Sequence, residues 1–265
     1  MDNSVPPSGV PVAVVFGGRS PIAIACARHI SLRQKVVLVT RHIDNGLEEA
    51  VKGQSNLSLM EADLEIEGAT ANLLEKVYTA DQQVNVNALI FLQRYRPPDA
   101  ESFERHCAVE LWSIREALEL VKSRKSVRDH VGVLISSSPA AQKVVLDQDL
   151  YYHVVKAGQE ALTRYLAALY GKDRIDINAI RIGSIVLKER AMTYWNSIPA
   201  TVDGLEQAAP IGELLTSESV GTFFANFILS SAIGFSGQVM DLDNGFSLRD
   251  GSQIARQLLT PVGSL

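Results

Sequence analysis

The sequence predicts a single α/β domain of three layers, α/β/α, built on a doubly wound parallel sheet. Three observations carry that prediction. Short apolar runs, apolar on both faces, alternate with helical stretches from one end of the chain to the other. A glycine turn joins the first such run to the first helix. No linker rich in Pro, Gly or Ser divides the 265 residues, so residues 10–265 read as one domain behind a polar leader, 1–9.

Val12 to Phe16 is a buried strand ended by Gly17-Gly18, and Pro21 to Ile30 is an Ala- and Ile-rich helix. Lys35 to Thr40 gives a second strand, followed by a helix near 47–51, a strand near 57–60 and a helix near 71–78. Val86 to Leu92 and Val131 to Ser136 are strand-like, and Phe103 to Val121 between them reads as one long helix. Tyr151 to Tyr170 carries a broad apolar helical face. A strand near 176–182, a long segment to Pro210, a helix near 217–229 and a strand near 238–242 complete the pattern.

Composition narrows the function. With 46% apolar and 21% charged residues the chain buries a sizeable core. Its net charge of −5 and lack of a basic run argue against nucleic acid and anionic membrane as partners. No stretch is apolar enough for long enough to span a bilayer. Cys26 and Cys107 are too few for a disulfide framework or a zinc site, and a reducing cytoplasm is the expected compartment.

The turn Phe16-Gly17-Gly18-Arg19-Ser20-Pro21-Ile22-Ala23, between strand and helix, is the setting in which a dinucleotide pyrophosphate binds. Gly17 permits the tight turn, Gly18 lets backbone approach the ligand, Ser20 is placed to cap the helix and Pro21 to start it. Pro21 costs one amide donor to the phosphate. Where an acidic residue would hold the ribose diol of NAD, the second strand ends in Thr40-Arg41. Arg19 and Arg41, if they converge, suit a 2′-phosphate, so NADP(H) is expected over NAD(H).

Tyr152 and Lys156 lie four apart, hence on one helical face. An ammonium beside a phenol stabilises the phenolate and equips the pair for proton exchange. Fifteen residues earlier Ile135-Ser136-Ser137-Ser138 ends a strand, with hydroxyls at the carboxyl edge where ligands bind such sheets. His153 reads as a flank of the pair.

With these motifs the sequence resembles the short-chain dehydrogenase/reductase family along nearly all its length. Leu134-Ile135-Ser136-Ser137 is similar to the family's serine strand, and Tyr152 to Gly158, continued by Glu160 to Ala167, to its catalytic helix. Ala62-Asp63-Leu64 matches the segment whose Asp holds the adenine amino group. Ile177 to Gly183 resembles the strand and turn beside the nicotinamide, and Ser236 to Gly245 the last strand. The resemblance implies a Rossmann-type fold and an NADP(H)-dependent oxidoreductase in which Tyr152 donates the proton to a substrate carbonyl. It further implies that Lys156 binds the nicotinamide ribose, that Ser137 or Ser138 polarises the carbonyl, and that Ile185 holds the carboxamide through its backbone. A homodimer or homotetramer built on the two long helices follows from the same likeness.

Three departures from the family pattern stand out. The glycine turn has Phe16, Pro21 and Ala23; the fourth strand ends Phe91-Leu92-Gln93-Arg94 rather than Asn-Asn-Ala-Gly; and Glu110 stands where an Asn joins the proton relay. Glu110 is expected either to carry a proton or to pair with Lys156 and quiet it. Gln93 falls at the cofactor edge, and Arg94 and Arg96 after it suit an anionic substrate. A lid over about 186–212 would bring Tyr194 and Trp195 to a hydrophobic substrate. Enoyl reduction, or a repurposed non-redox catalyst or cofactor-gated binder, are the alternative functions.

Overall fold

The alternation read from the sequence folds as seven parallel strands in the order β3-β2-β1-β4-β5-β6-β9. The structure is a computed structural model that describes residues 9–80, 84–96, 102–146, 148–183, 186–187, 196–230 and 234–259. The strands are β1 Val10–Phe16, β2 Lys35–Thr40, β3 Leu57–Glu61, β4 Val84–Phe91, β5 Val131–Ser137, β6 Ile175–Ile182 and β9 Val239–Leu242. A separate two-residue pair, β7 Val186–Leu187 with β8 Leu215–Thr216, lies within and just after the expected lid. Strand order reverses between β1 and β4, and ligands bind such sheets beyond the carboxyl ends of the strands at that switch.

Period-two burial builds both faces. In β1, Val12, Val14 and Phe16 join one core cluster and Ala13 and Val15 the other. The first cluster packs under α3 Ala69–Ala80, α5 Ser113–Arg124 and α6 Leu150–Tyr170. The second packs under α1 Pro21–Ser31, α2 Asn45–Val51 and α8 Ser217–Leu229. A bulge at Asn87 resets the β1–β4 register, and its amide forms a reciprocal pair with Gln34 at 3.1 and 3.2 Å. The reset brings Phe16 opposite Phe91, and their rings stack 4.9 Å apart at the end of the switch strands. Two of the departures noted above are thus one packing unit.

One expectation is corrected, two elements are added, and several residues fall outside the description. The helix expected over Phe103 to Val121 is broken: α4 Phe103–Cys107 gives way to a wide π-turn, Ala108–Trp112, before α5. The chain also forms α7 Pro199–Ala208 and α9 Gly251–Leu259, which the sequence reading left unassigned. Tyr194, Trp195 and Ile185 lie outside the described residues, as does all of the leader except Gly9.

The start of α1 is set by its contact with α8. A Cβ on Gly221 would sit 2.6 Å from Ala25 Cβ and 2.7 Å from the Ile22 carbonyl oxygen. Gly221→Ala is therefore expected to destabilise the fold by about 1–3 kcal/mol, read as a lower urea midpoint at unchanged slope.

Candidate active site

Gly17 is in the left-handed region, φ 94°, and a Cβ there would sit 2.6 Å from the Leu92 carbonyl carbon. The amides of Gly17 and Gly18 both donate to the Val39 carbonyl, at 3.1 and 2.8 Å. A Cβ on Gly18 would meet Val39 and Leu38 at 3.0 and 3.1 Å. The small residue at 18 therefore serves the close approach of β2. Donors for an anion lie one turn later. The amides of Ile22 and Ala23 have no carbonyl a turn earlier to bond, no acidic residue sits in the first turn, and the Ser20 side chain makes no capping bond.

Arg19 and Arg41 are each paired with a carboxylate. Arg19 bonds Asp44 at 2.8 Å and Arg41 bonds Glu65 at 3.0 Å. Asp44 caps α2, and the Leu47 amide, helped by Arg19, holds its carboxyl below the usual range. Asp63 accepts from the Glu65 amide at 3.1 Å, and Leu64 beside it packs on the core. Gly183 donates to the Leu242 carbonyl, and a Cβ there would lie 2.8 Å from Asp243. Close packing of β6 on the turn after β9 accounts for that glycine.

The other end of the crevice centres on Lys156, which is 3% exposed. Its ammonium donates to the Gln159 side-chain oxygen at 2.9 Å and the Ser136 carbonyl at 3.3 Å, and pairs with Glu110 Oε2 at 2.9 Å. Three partners thus face three N–H donors. In the folded chain, then, the lysine expected at a nicotinamide ribose has its three donors partnered by protein groups.

Glu110 is fully buried and its other oxygen accepts from the Tyr95 amide at 3.1 Å. Burial alone would raise its pKa, but the Lys156 charge, with His106 alongside and the Tyr95 amide donating to it, outweighs that and holds it below the usual range. The π-turn places it: the Ser113 amide reaches back to the Ala108 carbonyl, leaving neighbouring carbonyls for side chains. Gln159 donates to the Glu110 carbonyl at 3.0 Å, and Gln93 to the Val109 carbonyl at 3.1 Å and Ser113 Oγ at 3.2 Å. Gln93, expected at the cofactor edge, is therefore a bolt between the β4 loop and the π-turn through its amide nitrogen. His106, missed in the sequence, is fully buried with Nδ1 3.4 Å from Glu110 and Nε2 3.7 Å from Asp149. Its spacing of four from Glu110 was the available signal.

The serines divide. Ser137 Oγ donates to Glu160 at 2.9 Å in a buried network that continues through Arg181, at 2.9 and 3.0 Å, to Asp241 at 2.7 Å. In the folded chain the hydroxyl of Ser137, one of the two serines expected to polarise a carbonyl, is thus engaged by Glu160. Ser138 caps the short 3-10 turn Pro139–Ala141, accepting from the Ala140 amide at 3.2 Å, and is only half-buried. Tyr152, also half-buried, sits in the first turn of α6, with the Arg94 guanidinium 3.9 Å above its ring centroid and Lys156 Nζ at 5.4 Å. Arg94 is steadied by Gln148 at 2.6 Å. Half-buried phenol, half-buried hydroxyl and two cations at the carboxyl edge can stabilise and protonate an oxyanion.

Over residues 17–247 the chain matches the family described as Enoyl-(Acyl carrier protein) reductase. It is 23% identical over 234 residues to the L-xylulose reductase of Bos taurus, covering 88% of this chain and 95% of that one. It is 28% identical over 130 residues to the enoyl-acyl-carrier-protein reductase (NADH) of Bacillus subtilis, so the match spans about half the length of that relative, 49% of each chain. A 3-oxoacyl-acyl-carrier-protein reductase from Brucella melitensis in complex with NAD superposes at TM-score 0.74 and 20% identity, covering 91% of this chain and 98% of that one. The L-sorbose reductase of Gluconobacter frateurii, complexed with NADPH and L-sorbose, does so at 0.72 and 19%, covering 90% and 97%. At these identities the superpositions establish the fold.

The buried pair has a signature in acid. A carboxyl with a depressed folded pKa adds stability above its unfolded value, about 4.3, and loses it as pH falls through the folded value. Glu110→Gln is expected to lose about 3 kcal/mol near neutral pH and to flatten the decline in stability below about pH 4.5. Urea midpoints of both proteins across that range check the claim.

Proposed function

Because the chain belongs to the short-chain dehydrogenase/reductase family and is an NAD(P)-dependent enzyme of that family, we propose that it is an NADP(H)-dependent reductase of a carbonyl on a small or medium organic molecule, or the corresponding alcohol dehydrogenase. The observation that carries this reading is the half-buried Tyr152 in the first turn of α6, with the Arg94 and Lys156 cations against its ring. A bound nicotinamide supplies the reducing equivalent. The chain's own residues do the rest: Tyr152 gives the proton to the carbonyl oxygen, and Ser138 donates a hydrogen bond to that oxygen.

The residues present fit a dinucleotide at the start of α1, where the Ile22 and Ala23 amides and the Ser20 hydroxyl face an anion with no nearby acid in the turn. Asp63 and Leu64 would border the adenine. Preference for the 2′-phosphate is supported by Thr40-Arg41 standing where NAD binding calls for an acid. The Arg19 and Arg41 side chains are 55% and 62% exposed. Exposed ion pairs of this kind contribute about 0–1 kcal/mol, so both guanidiniums can change partners for a phosphate. At the nicotinamide end Lys156 must release one of its three partners before it can bond a ribose.

Enoyl reduction is the second reading, favoured by the family description and by the Bacillus subtilis relative. Self-association into a homodimer or homotetramer is supported by Val154, Tyr165 and Leu169, which share an exposed apolar stripe on α6, and by exposed Trp112 beside it. Among the described residues no helix is long and apolar enough to cross a membrane; the proposed compartment is the cytoplasm.

Loss of NADPH absorbance with paired ketones, sugars and enoyl thioesters separates carbonyl from enoyl reduction. Tyr152→Phe is expected to lower turnover by about 10²–10⁴-fold; undiminished turnover would refute the proton-donor assignment. NADPH should bind at least about tenfold tighter than NADH, and Arg41→Ala should narrow that gap. A tighter NADH would overturn the cofactor preference.

A further inference from the structure

Arg94 lies in the loop that leaves β4 at the switch in strand order, between two residues that are bolted down. Gln93 is held by the π-turn, and the Tyr95 amide by Glu110 at 3.1 Å. The backbone at 94 therefore has little freedom, and the side chain is laid flat on Tyr152, 3.9 Å from the ring centroid. Gln148 fixes one Nη of the guanidinium at 2.6 Å, while Nε is buried without a hydrogen-bond partner.

Burial without charge compensation sets this arginine apart: among the described residues Arg28, Arg33, Arg128, Arg164 and Arg174 also lack a carboxylate partner, but all five are exposed to water. Arg19, Arg41, Arg105, Arg115, Arg124 and Arg181 each pair with a carboxylate. Among the described residues no carboxylate pairs with Arg94, although it is partly buried and they are mostly exposed. Holding a guanidinium out of water without a counter-ion is costly. A neutral amide and an aromatic face offset only part of that cost. The arrangement is preorganised for an anion that arrives with the ligand.

Resting on the Tyr152 reading, we propose that Arg94 is a specificity-determining residue and that the substrate carries an anionic group close to its reacting carbonyl. Tyr152 reaches the carbonyl oxygen and Arg94 the anion, each through one hydrogen bond of about 2.7–2.9 Å. With the guanidinium stacked on the phenol itself, only a few bonds can separate the two groups. That geometry suits a short oxo acid, with a phosphate ester as the second source of the same charge.

The test uses the protein with bound NADP(H) and two substrate pairs: acetoacetate with methyl acetoacetate, and dihydroxyacetone phosphate with dihydroxyacetone. In each pair kcat/KM is compared, and binding of the anionic member is followed by calorimetry. In at least one pair the anion should be preferred by about tenfold or more, the pair revealing whether carboxylate or phosphate is read. Arg94→Met should collapse that preference, and Arg94→Lys should restore part of it; an unchanged unfolding midpoint shows that the fold persists. A preference for the neutral members, an anion preference that survives Arg94→Met, or neither turnover nor binding of any anion overturns the proposal. Failure of the underlying reading looks different: Tyr152→Phe would then turn over undiminished whatever the preference. If turnover needs Tyr152 but ignores the charge of the substrate, only the Arg94 inference falls.

Discussion

The crevice is organised around one buried charge. Lys156 lies under the sheet edge with almost no access to water, and an ammonium there is tolerated only if every donor finds a partner. Glu110 supplies the opposite charge, and most of the local irregularity follows from bringing it there. The π-turn carries Glu110 inward and leaves its carbonyl for Gln159, which in turn holds Lys156. The Tyr95 amide reaches the same carboxylate and fixes the β4 loop. Arg94 is then delivered onto Tyr152. Removing either partner of such a pair costs about 3–5 kcal/mol, a large part of a domain's net stability.

What the sequence revealed was whatever depends on period and spacing. Apolar runs located the seven strands of the sheet to within a residue or two, because the central strands are buried on both faces and are mostly apolar despite Asn85, Asn87, Asp176 and Asn178. The Tyr152–Lys156 pair was legible because four residues are one helical turn. What escaped depends on partners distant in the chain. Phe16 and Phe91 look like two unrelated departures until the Asn87 bulge sets them opposite each other. Ser137 and Ser138 are indistinguishable by type, and the choice is made by Glu160 from another element. Arg19 and Arg41 were read as cations without their acids, since Asp44 and Glu65 are close only in the folded chain or through its turns. The π-turn had no signal, because its helix-forming residues read the same with four- or five-residue hydrogen bonds.

These placements share a direction. Side chains and amides assigned to ligands were found holding the protein together: the Gly17 and Gly18 amides on β2, Gln93 on the π-turn, Ser137 on Glu160. Polar groups at a strand's carboxyl edge are the ones a fold of this class has left over, and whether they serve ligand or scaffold is decided by neighbours. The residues still uncommitted are therefore informative. Ser20, whose side chain makes no capping bond, and half-buried Tyr152 are among them.

Lys156 is the instructive intermediate case, because its three partners are unequal. Glu110 contributes charge and Gln159 is itself anchored to the π-turn, so displacing either disturbs groups beyond the lysine. The Ser136 carbonyl is the longest contact, at 3.3 Å against 2.9 Å for the other two. It belongs to β5, whose ladder to β6 does not depend on that bond. An incoming hydroxyl acceptor therefore competes with the weakest of the three, and exchange costs little so long as one hydrogen bond replaces another. A lysine saturated in the folded chain is in this way still compatible with a ligand-binding part. The Glu110 pair holds the ammonium in place while a single donor is released, and the charge is never left uncompensated.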